Sequence, residues 1–419
     1  MGSAKQRRIW SLGSSLRVST FTLVVAILLA YGLVVVPSAQ AQTFKVLYSF
    51  TGQKDGGHPY SSLTMDRAGN LYGTAYAYGK YDSGTVFRLM PNGSGWLFDL
   101  LYAFTGDDGS GPDGGVTMGR DGSLYGITSY INQFCGVVYN LKPPPSRPVS
   151  ALASWNETVI HKFTGPDGCV PVANVAFDAA GNLYGVANEG GAYNGGTVYE
   201  LSPSGSGWTE KTLHSFGQGS EGTDPSGTPV LDSAGNLYGT AGFGGPDGAG
   251  SVFQMTPSGS GWTLNVLTGF PQNGDGFRPY GGVILDHAGN VYGTTSSGGT
   301  GGGGTVFMLG AGTWNFSLLY SLSGNYGPNA SLIMDAAGNL YGTTPGGGAY
   351  QKGAVFKLTP SGAGWIYTGL HDFTGGSDGE DPDGSLLLDA DGNLYGTAST
   401  GGSGVNCSFG CGVVYEITP

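Results

Sequence analysis

Asp232-Ser233-Ala234-Gly235-Asn236-Leu237-Tyr238-Gly239-Thr240, preceded by the apolar pair Val230-Leu231, is one copy of a phrase that recurs down this chain. Its tyrosine returns at Tyr72, Tyr125, Tyr184, Tyr238, Tyr292, Tyr341 and Tyr395, at spacings of 53, 59, 54, 54, 49 and 54 residues. Seven such units account for residues 42–419. Periods of this size, built of short Val-, Tyr-, Phe- and Thr-rich runs, belong to propeller blades and not to helical solenoids. No helical apolar period occurs beyond residue 41. Around Tyr238 the pattern predicts four strands, Thr228–Leu231, Asn236–Thr240, Ser251–Met255 and Trp262–Phe270, separated by Gly, Pro, Ser and Asp. Four antiparallel strands make one blade.

The two ends of this repeat array complement each other. Thr43 to Phe50 reads as the fourth, outer strand of a unit, whereas the last unit stops after its third strand at Gly412 to Pro419. Joining them removes two open sheet edges. The expected fold is therefore all-β: a seven-bladed propeller, residues 42–419, whose N-terminal strand closes the last blade.

Residues 1–41 read as a secretory leader. Lys5, Arg7, Arg8 and Arg17 precede the apolar run Phe21 to Val36, and Pro37-Ser38-Ala39-Gln40-Ala41 offers a small-residue cleavage site. An uncleaved anchor is the alternative, because the run approaches spanning length. Cleavage removes these four cations and no anions, taking the formal charge from −12 to −16. So acidic a chain repels nucleic acid and anionic membranes. A secreted, periplasmic or surface-located monomer is expected, with no nucleic-acid partner and no membrane contact after cleavage.

The outer strands carry Trp96, Trp155, Trp208, Trp262, Trp314 and Trp365, each eight residues before Phe104, Phe163, Phe216, Phe270, Leu322 or Phe373. Such regular tryptophans read as packing between blades. Six residues after the Trp position stand Tyr48, Tyr102, His161, His214, Thr268, Tyr320 and His371. Histidines on separate blades do not converge on one metal, and their alternation with Tyr predicts an aromatic, hydrogen-bonding wall.

The unit Gly-Asn-Leu-Tyr-Gly-Thr-Thr, a Gly-rich loop, then Gly-Thr-Val-Phe-x-Leu-Thr-Pro-Ser-Gly-x-Gly-Trp resembles the Gloeobacter/Verrucomicrobia (GloVer) tandem repeat, most specifically at residues 286–309 and 335–365. That resemblance implies an exported protein of a group with no established activity. More distantly, Asp-x-x-Gly-Asn-x-Tyr is similar to NHL-type propeller repeats, which include both binding proteins and lyases.

In a four-stranded meander one face of the disc collects the first and third turns, and the other collects the second loops and the linkers between blades. The first face is uniform. Gly69, Gly122, Gly181, Gly235, Gly289, Gly338 and Gly392 mark its turns, and Asp66, Asp178, Asp232, Asp286, Asp335 and Asp389 are expected to cap them, with Gly119 the exception. The second face varies, and loops on a rigid scaffold commonly carry function. Its loops hold Tyr76, Tyr78, Tyr81, Tyr130, Asn132, Tyr193 and Tyr350, and its linkers read Asp-Gly-x-x-Pro. Tyr60 and Tyr280 follow two of these prolines, at the expected mouth of the central channel, with His58 and Arg278 just before. Tyr60, Tyr280, Arg278, His58, Tyr76, Tyr78, Tyr130, Tyr193 and Tyr350 are the ligand-binding candidates, and a glycan or a protein the expected partner.

Two acidic clusters, Asp107/Asp108/Asp113 and Asp378/Glu380/Asp381/Asp383, lack the loop spacing of a calcium site and read as solvated turn acids. No cofactor is expected, calcium being the one ion weighed. All four cysteines lie in exported sequence, and the predicted disulfides are Cys135–Cys169 and Cys407–Cys411. A non-catalytic binding propeller is the leading reading. A lyase or hydrolase using His58 with Asp55, and Arg278 for an oxyanion, is the alternative; a structural envelope protein is the third.

Overall fold

Every copy of the repeated phrase forms the turn between the first two strands of a blade, and its residue types follow from the bonds made there. In the Tyr238 copy, Asp232 Oδ1 accepts from the backbone of Ala234 and Asn236, and Oδ2 accepts from the Asn236 amide and the Tyr238 hydroxyl at 3.1 Å. Gly235 occupies the left-handed region, φ 84°, which a side chain would strain. Gly239 passes beneath the Phe253 ring, where a Cβ would lie 2.5 Å from Cζ. Thr240 donates to Ser226 of its own blade and to Gly281 of the next. Asp, Asn, Gly, Tyr and Thr are thus each required by one contact. In the second copy, where Gly119 replaces the Asp, Asp121 accepts from the Ser123 backbone and hydroxyl instead.

The computed structural model describes residues 42–132, 134–144, 155–259, 261–272 and 274–418. The expected leader, residues 1–41, lies outside them. Seven four-stranded antiparallel sheets follow one another along the chain. Blade 1 comprises strands a to d, from the inside outward, at Thr64–Met65, Leu71–Ala75, Thr85–Asn92 and Gly95–Ala103. Blade 4, around Tyr238, runs Thr223–Leu231, Leu237–Phe243, Gly248–Ser258 and Gly261–Pro271, longer than predicted but in the predicted order. Blade 7 takes its first three strands from Leu387–Leu388, Leu394–Ala398 and Val413–Thr418, and its outer strand is Thr43–Ser49. Phe44 pairs with Ile417 and Val46 with Tyr415. The ring closes as the sequence predicts.

The core lies between blades. Leu237, Phe253 and Met255 of blade 4 pack on Tyr184, Val186 and Val198 of blade 3, and the same junction recurs around the disc, including Leu47 and Phe50 of the closing strand against Leu71 and Phe87 of blade 1. Tryptophans seal it as expected: Trp262 meets Tyr184 and Trp155 meets Tyr72, edge to face. The wall on the outer strands also forms. Tyr48, Tyr102, His161, His214 and His371 pair with Asp55, Asp108, Asp167, Glu221 and Asp378 of the following linkers. The histidines do not meet one another, although His161 and Asp167 have Glu210 within 4.8 Å.

Cys135–Cys169 and Cys407–Cys411 are both disulfide-bonded. The first ties the start of strand c of blade 2, Phe134–Lys142, to the start of strand a of blade 3, Cys169–Phe177.

Candidate functional site

Each linker carries its chain from the rim of one blade to the axis of the next, and one residue fixes where it arrives. The residue before the linker proline donates its N–H to the preceding blade: His58 to Cys411, Arg278 to Ala249, and Asp381 to Lys352, at 2.9, 2.9 and 3.1 Å. Its carbonyl then accepts from the residue just after strand b of its own blade, as from Tyr76, Ser296 and Ser399. Bridging both neighbours forces a left-handed backbone, and His58, Gly111, Val170, Asp224, Arg278 and Asp381 all have φ between 54 and 63°.

The residue after the proline is thereby delivered to the axis on six blades, and blade 6 delivers Asn329 there without a left-handed residue before its proline. Tyr60, Asp113, Val172, Ser226, Tyr280, Asn329 and Asp383 are those seven residues, and all seven line one cavity of about 310 Å³. Beneath them lie small residues, among them Ser61, Gly114, Ala173, Gly227, Ala330 and Gly384. They are small because the inner strands touch backbone to backbone: a Cβ on Gly114 would lie 2.0 Å from the Ala173 carbonyl oxygen. Asn174 spans this floor, donating to Ser62 Oγ at 2.9 Å and accepting from the Gly115 N–H at 2.7 Å.

The ring has two chemically different halves. Asn329, Asp383, Tyr60 and Asp113 stand on four consecutive blades, 6, 7, 1 and 2. Burial, followed by the charges of Asp381 and Asp113, lifts the Asp383 carboxyl to about 7, against the opposing hydrogen bond from Asn329 at 3.3 Å. Burial raises Asp113 as well. Tyr60 is pushed up to about 12, first by burial and then by Asp383, Tyr76 and Asp113. The opposite half holds Val172, Ser226 and Tyr280; Ser226 is buried and its hydroxyl has no hydrogen-bond partner among the described residues.

Of the sequence candidates, Tyr60 and Tyr280 line the cavity. Tyr76 braces Tyr60 edge-on at 5.4 Å. His58 and Arg278 serve mainly through their backbones. The His58 ring meets the Ser399 carbonyl at 2.9 Å and lies beside Tyr78, and the Arg278 guanidinium sits over Phe243 and Phe277 at a separate cavity of about 190 Å³. Tyr193 and Tyr350 are exposed on b–c loops and Tyr130 at the end of strand b of blade 2, Leu124–Ile131, all outside the lining. The imagined trio of His58, Asp55 and Arg278 is not assembled, because Asp55 is buried and occupied by Tyr48, Thr51 and Gln53.

The acidic clusters also come apart. Asp107 accepts from Asn132, Asp108 from Tyr102 and Thr105, Asp378 from Thr374, and Glu380 pairs with Lys352. Asp113 and Asp383 are not solvated turn acids but walls of the cavity, which corrects the sequence reading. The signal that finds them is positional: each is the residue after a linker proline, as Tyr60 and Tyr280 are.

No curated protein matches this chain. Among solved structures, the extracellular domain assigned to a one-component system of B. thetaiotaomicron superposes with a TM-score of 0.56 at 10% identity, covering 88% of this chain and 39% of that one. This chain therefore spans well under half of that relative's length. A glucose-dehydrogenase-type oxidoreductase from Thermus thermophilus gives a TM-score of 0.45 at 13% identity, covering 90% of this chain and 100% of that one. A triple arginine-to-alanine variant of AofleA from Arthrobotrys oligospora gives 0.44 at 12%, covering 78% and 90%. At 10% identity the likeness to the first of these is one of fold alone. The Gloeobacter/Verrucomicrobia repeat matches at residues 29–158, 151–325 and 260–419, together the whole disc, and this chain belongs to that repeat family.

Proposed function

We propose that this is an exported, non-catalytic binding propeller whose ligand enters the funnel on the face of b–c loops and linkers. One observation carries the reading: a single variable position per blade is brought by a recurring backbone device to one shared cavity. Scaffold constancy beside side-chain diversity is what a recognition site needs. Two disulfides support an oxidising compartment. Tyr60 and Tyr280 offer aromatic faces, while Asn174, Asn329 and Ser226 offer hydrogen bonds, a combination suited to a hydroxyl-rich ligand such as a terminal sugar of a glycan. Screening the mature protein against a glycan array tests this. Binding should be lost in Tyr60→Ala and Tyr280→Ala; retention in both, or no ligand at all, rejects the funnel as the site and leaves the structural reading.

A second reading, hydrolysis or elimination, has one specific observation in its favour: Asp383 titrates near neutrality beside Asp113, as an acid–base pair requires. Turnover of a bound glycan that Asp383→Asn abolishes would establish it over simple binding.

A further inference from the structure

We propose that the acidic half of the funnel is a subsite for a protonated amine on a hydroxylated framework, an amino sugar, seated between Asp113 and Asp383 against Tyr60. This rests on the funnel being the binding site and specifies what it takes. Asp383 and Asp113 come from the two blades flanking the blade of Tyr60, and all three line the same cavity, with no Lys, Arg or His among the described residues of its wall. Asp383 accepts a long hydrogen bond from Asn329 and a weaker one from Ser399, and Asp113 accepts none among the described residues. Two carboxylates so placed are not neutralised by their surroundings, and a cation entering between them supplies the missing charge-assisted hydrogen bonds.

An aromatic ring beside that position adds a cation–π contact. Metal ions compete for such carboxylates, but the cavity also presents a group that asks for something larger. Across the channel, the Ser226 hydroxyl is buried and unpartnered at the same wall. A buried hydroxyl without a partner is costly, and a rotation about χ1 that swings it to a ligand hydroxyl in the cavity relieves that cost. A cavity of about 310 Å³ has room for one sugar ring and its substituents.

The titration of the site agrees. Asp383 is faced by Asp381 from its own linker, Asp113 from blade 2 and Tyr60 from blade 1, with Asn329 and Ser399 as neutral neighbours. Every charged group there is an acid, so the empty site favours a bound proton, and an arriving ammonium displaces it. Affinity for an amine that stays protonated, such as n-butylamine, should therefore rise with pH from about 5.5 to about 8 with release of protons, whereas affinity for an amino sugar should rise only until its own ammonium deprotonates near neutrality.

Isothermal titration of the mature protein with β-1,4-linked glucosamine oligosaccharides, their N-acetylated counterparts and cello-oligosaccharides of equal length decides the matter, with n-butylamine and calcium chloride as further arms. The amine-bearing oligosaccharide should bind about tenfold or more tightly than either neutral one, and Asp113→Asn and Asp383→Asn should each remove about that preference. Heats measured in buffers of different ionisation enthalpy should show proton release at about pH 6, where the sugar amines are still protonated, and for n-butylamine at about pH 7 as well. Ser226→Ala should weaken the oligosaccharide and leave n-butylamine unchanged. Thermal melting confirms that each near-isosteric variant is folded. Equal affinity for the three oligosaccharides, all lost in Tyr60→Ala, overturns the amine subsite while leaving the funnel as the binding site. Binding of n-butylamine as tight as the oligosaccharide, or of calcium alone, overturns it in favour of a bare cation. No binding by any oligosaccharide, on the array or in solution, rejects both readings together.

Discussion

Phe44 lies flat on His371, ring centroids 3.7 Å apart and planes 8° from parallel. The first residue belongs to the strand that completes blade 7, the second to the outer strand of blade 6. Equivalent contacts, Tyr48 on Phe98 and Tyr320 on Tyr367, link other neighbouring blades. The closing strand is therefore bound sideways as well as to its own sheet. Phe44→Ala should cost about 2 kcal/mol of stability. Deleting residues 43–49 should expose the edge of Val413–Thr418 and convert a monomer into associating species. Urea denaturation and size-exclusion chromatography check the two outcomes; an unchanged monomer after deletion would contradict closure by this strand.

The turn aspartates should make the disc acid-labile. Burial alone would raise Asp66, Asp178, Asp232, Asp286 and Asp335, but hydrogen bonds from the following asparagine, the backbone and, in four of them, the tyrosine outweigh it and hold each below the usual carboxylate range. A folded-state value below the unfolded one stabilises above the unfolded pKa and is lost as pH falls through the folded value. Stability should drop steeply below about pH 4. Asp232→Ala should cost about 1 kcal/mol at pH 7, a figure discounted for the solvent around this turn, and should reduce the acid dependence in proportion. Unfolding curves between pH 7 and 2.5 measure both.

Asp383 has the opposite sign. Its carboxyl, lifted to about 7 by burial and then by Asp381 and Asp113, holds a proton that the unfolded chain releases near 4. That stabilisation is complete below the unfolded value and is lost as pH rises through 7. Asp383→Asn should flatten the decline in melting temperature between pH 5 and 8. A parallel curve for wild type and variant would show that the carboxyl ionises normally.

The two disulfides should differ in effect. Cys135–Cys169 closes a separation of 34 residues and Cys407–Cys411 one of 4. By chain entropy their removal should cost about 4 and about 2 kcal/mol respectively. Paired Cys-to-Ser variants compared by denaturant unfolding give the ratio, and equal losses would count against the loop-length account.

Much of this was legible because the repeat is dense with one-contact residues. Asp232 needs Asn236 and Tyr238, and Thr240 needs the next blade's carbonyl, so their joint recurrence is itself the signature of the turn. The cysteines were legible for the same reason, since Cys135 and Cys411 share a repeat position. Tyr60 and Tyr280 were visible as large residues after a proline. Asp113 and Asp383 were not, because an Asp beside Gly and Pro looks like any solvated turn acid. Nor does the order of residues reveal that Asp55 is consumed by Tyr48 and Thr51.

By itself, the order of amino acids determined the number of blades, the strand pattern in each and the pairing of the two ends, since these follow from periodicity and from an edge left without a partner. Only the folded disc decided which side chains meet. Residues 60, 113 and 383 share a cavity because a closed ring brings one position of every blade to a common axis, and because a left-handed residue bridging two blades aims each of them there. Burial at that axis, which no linear pattern records, is also what raises both carboxyls, that of Asp383 to about 7.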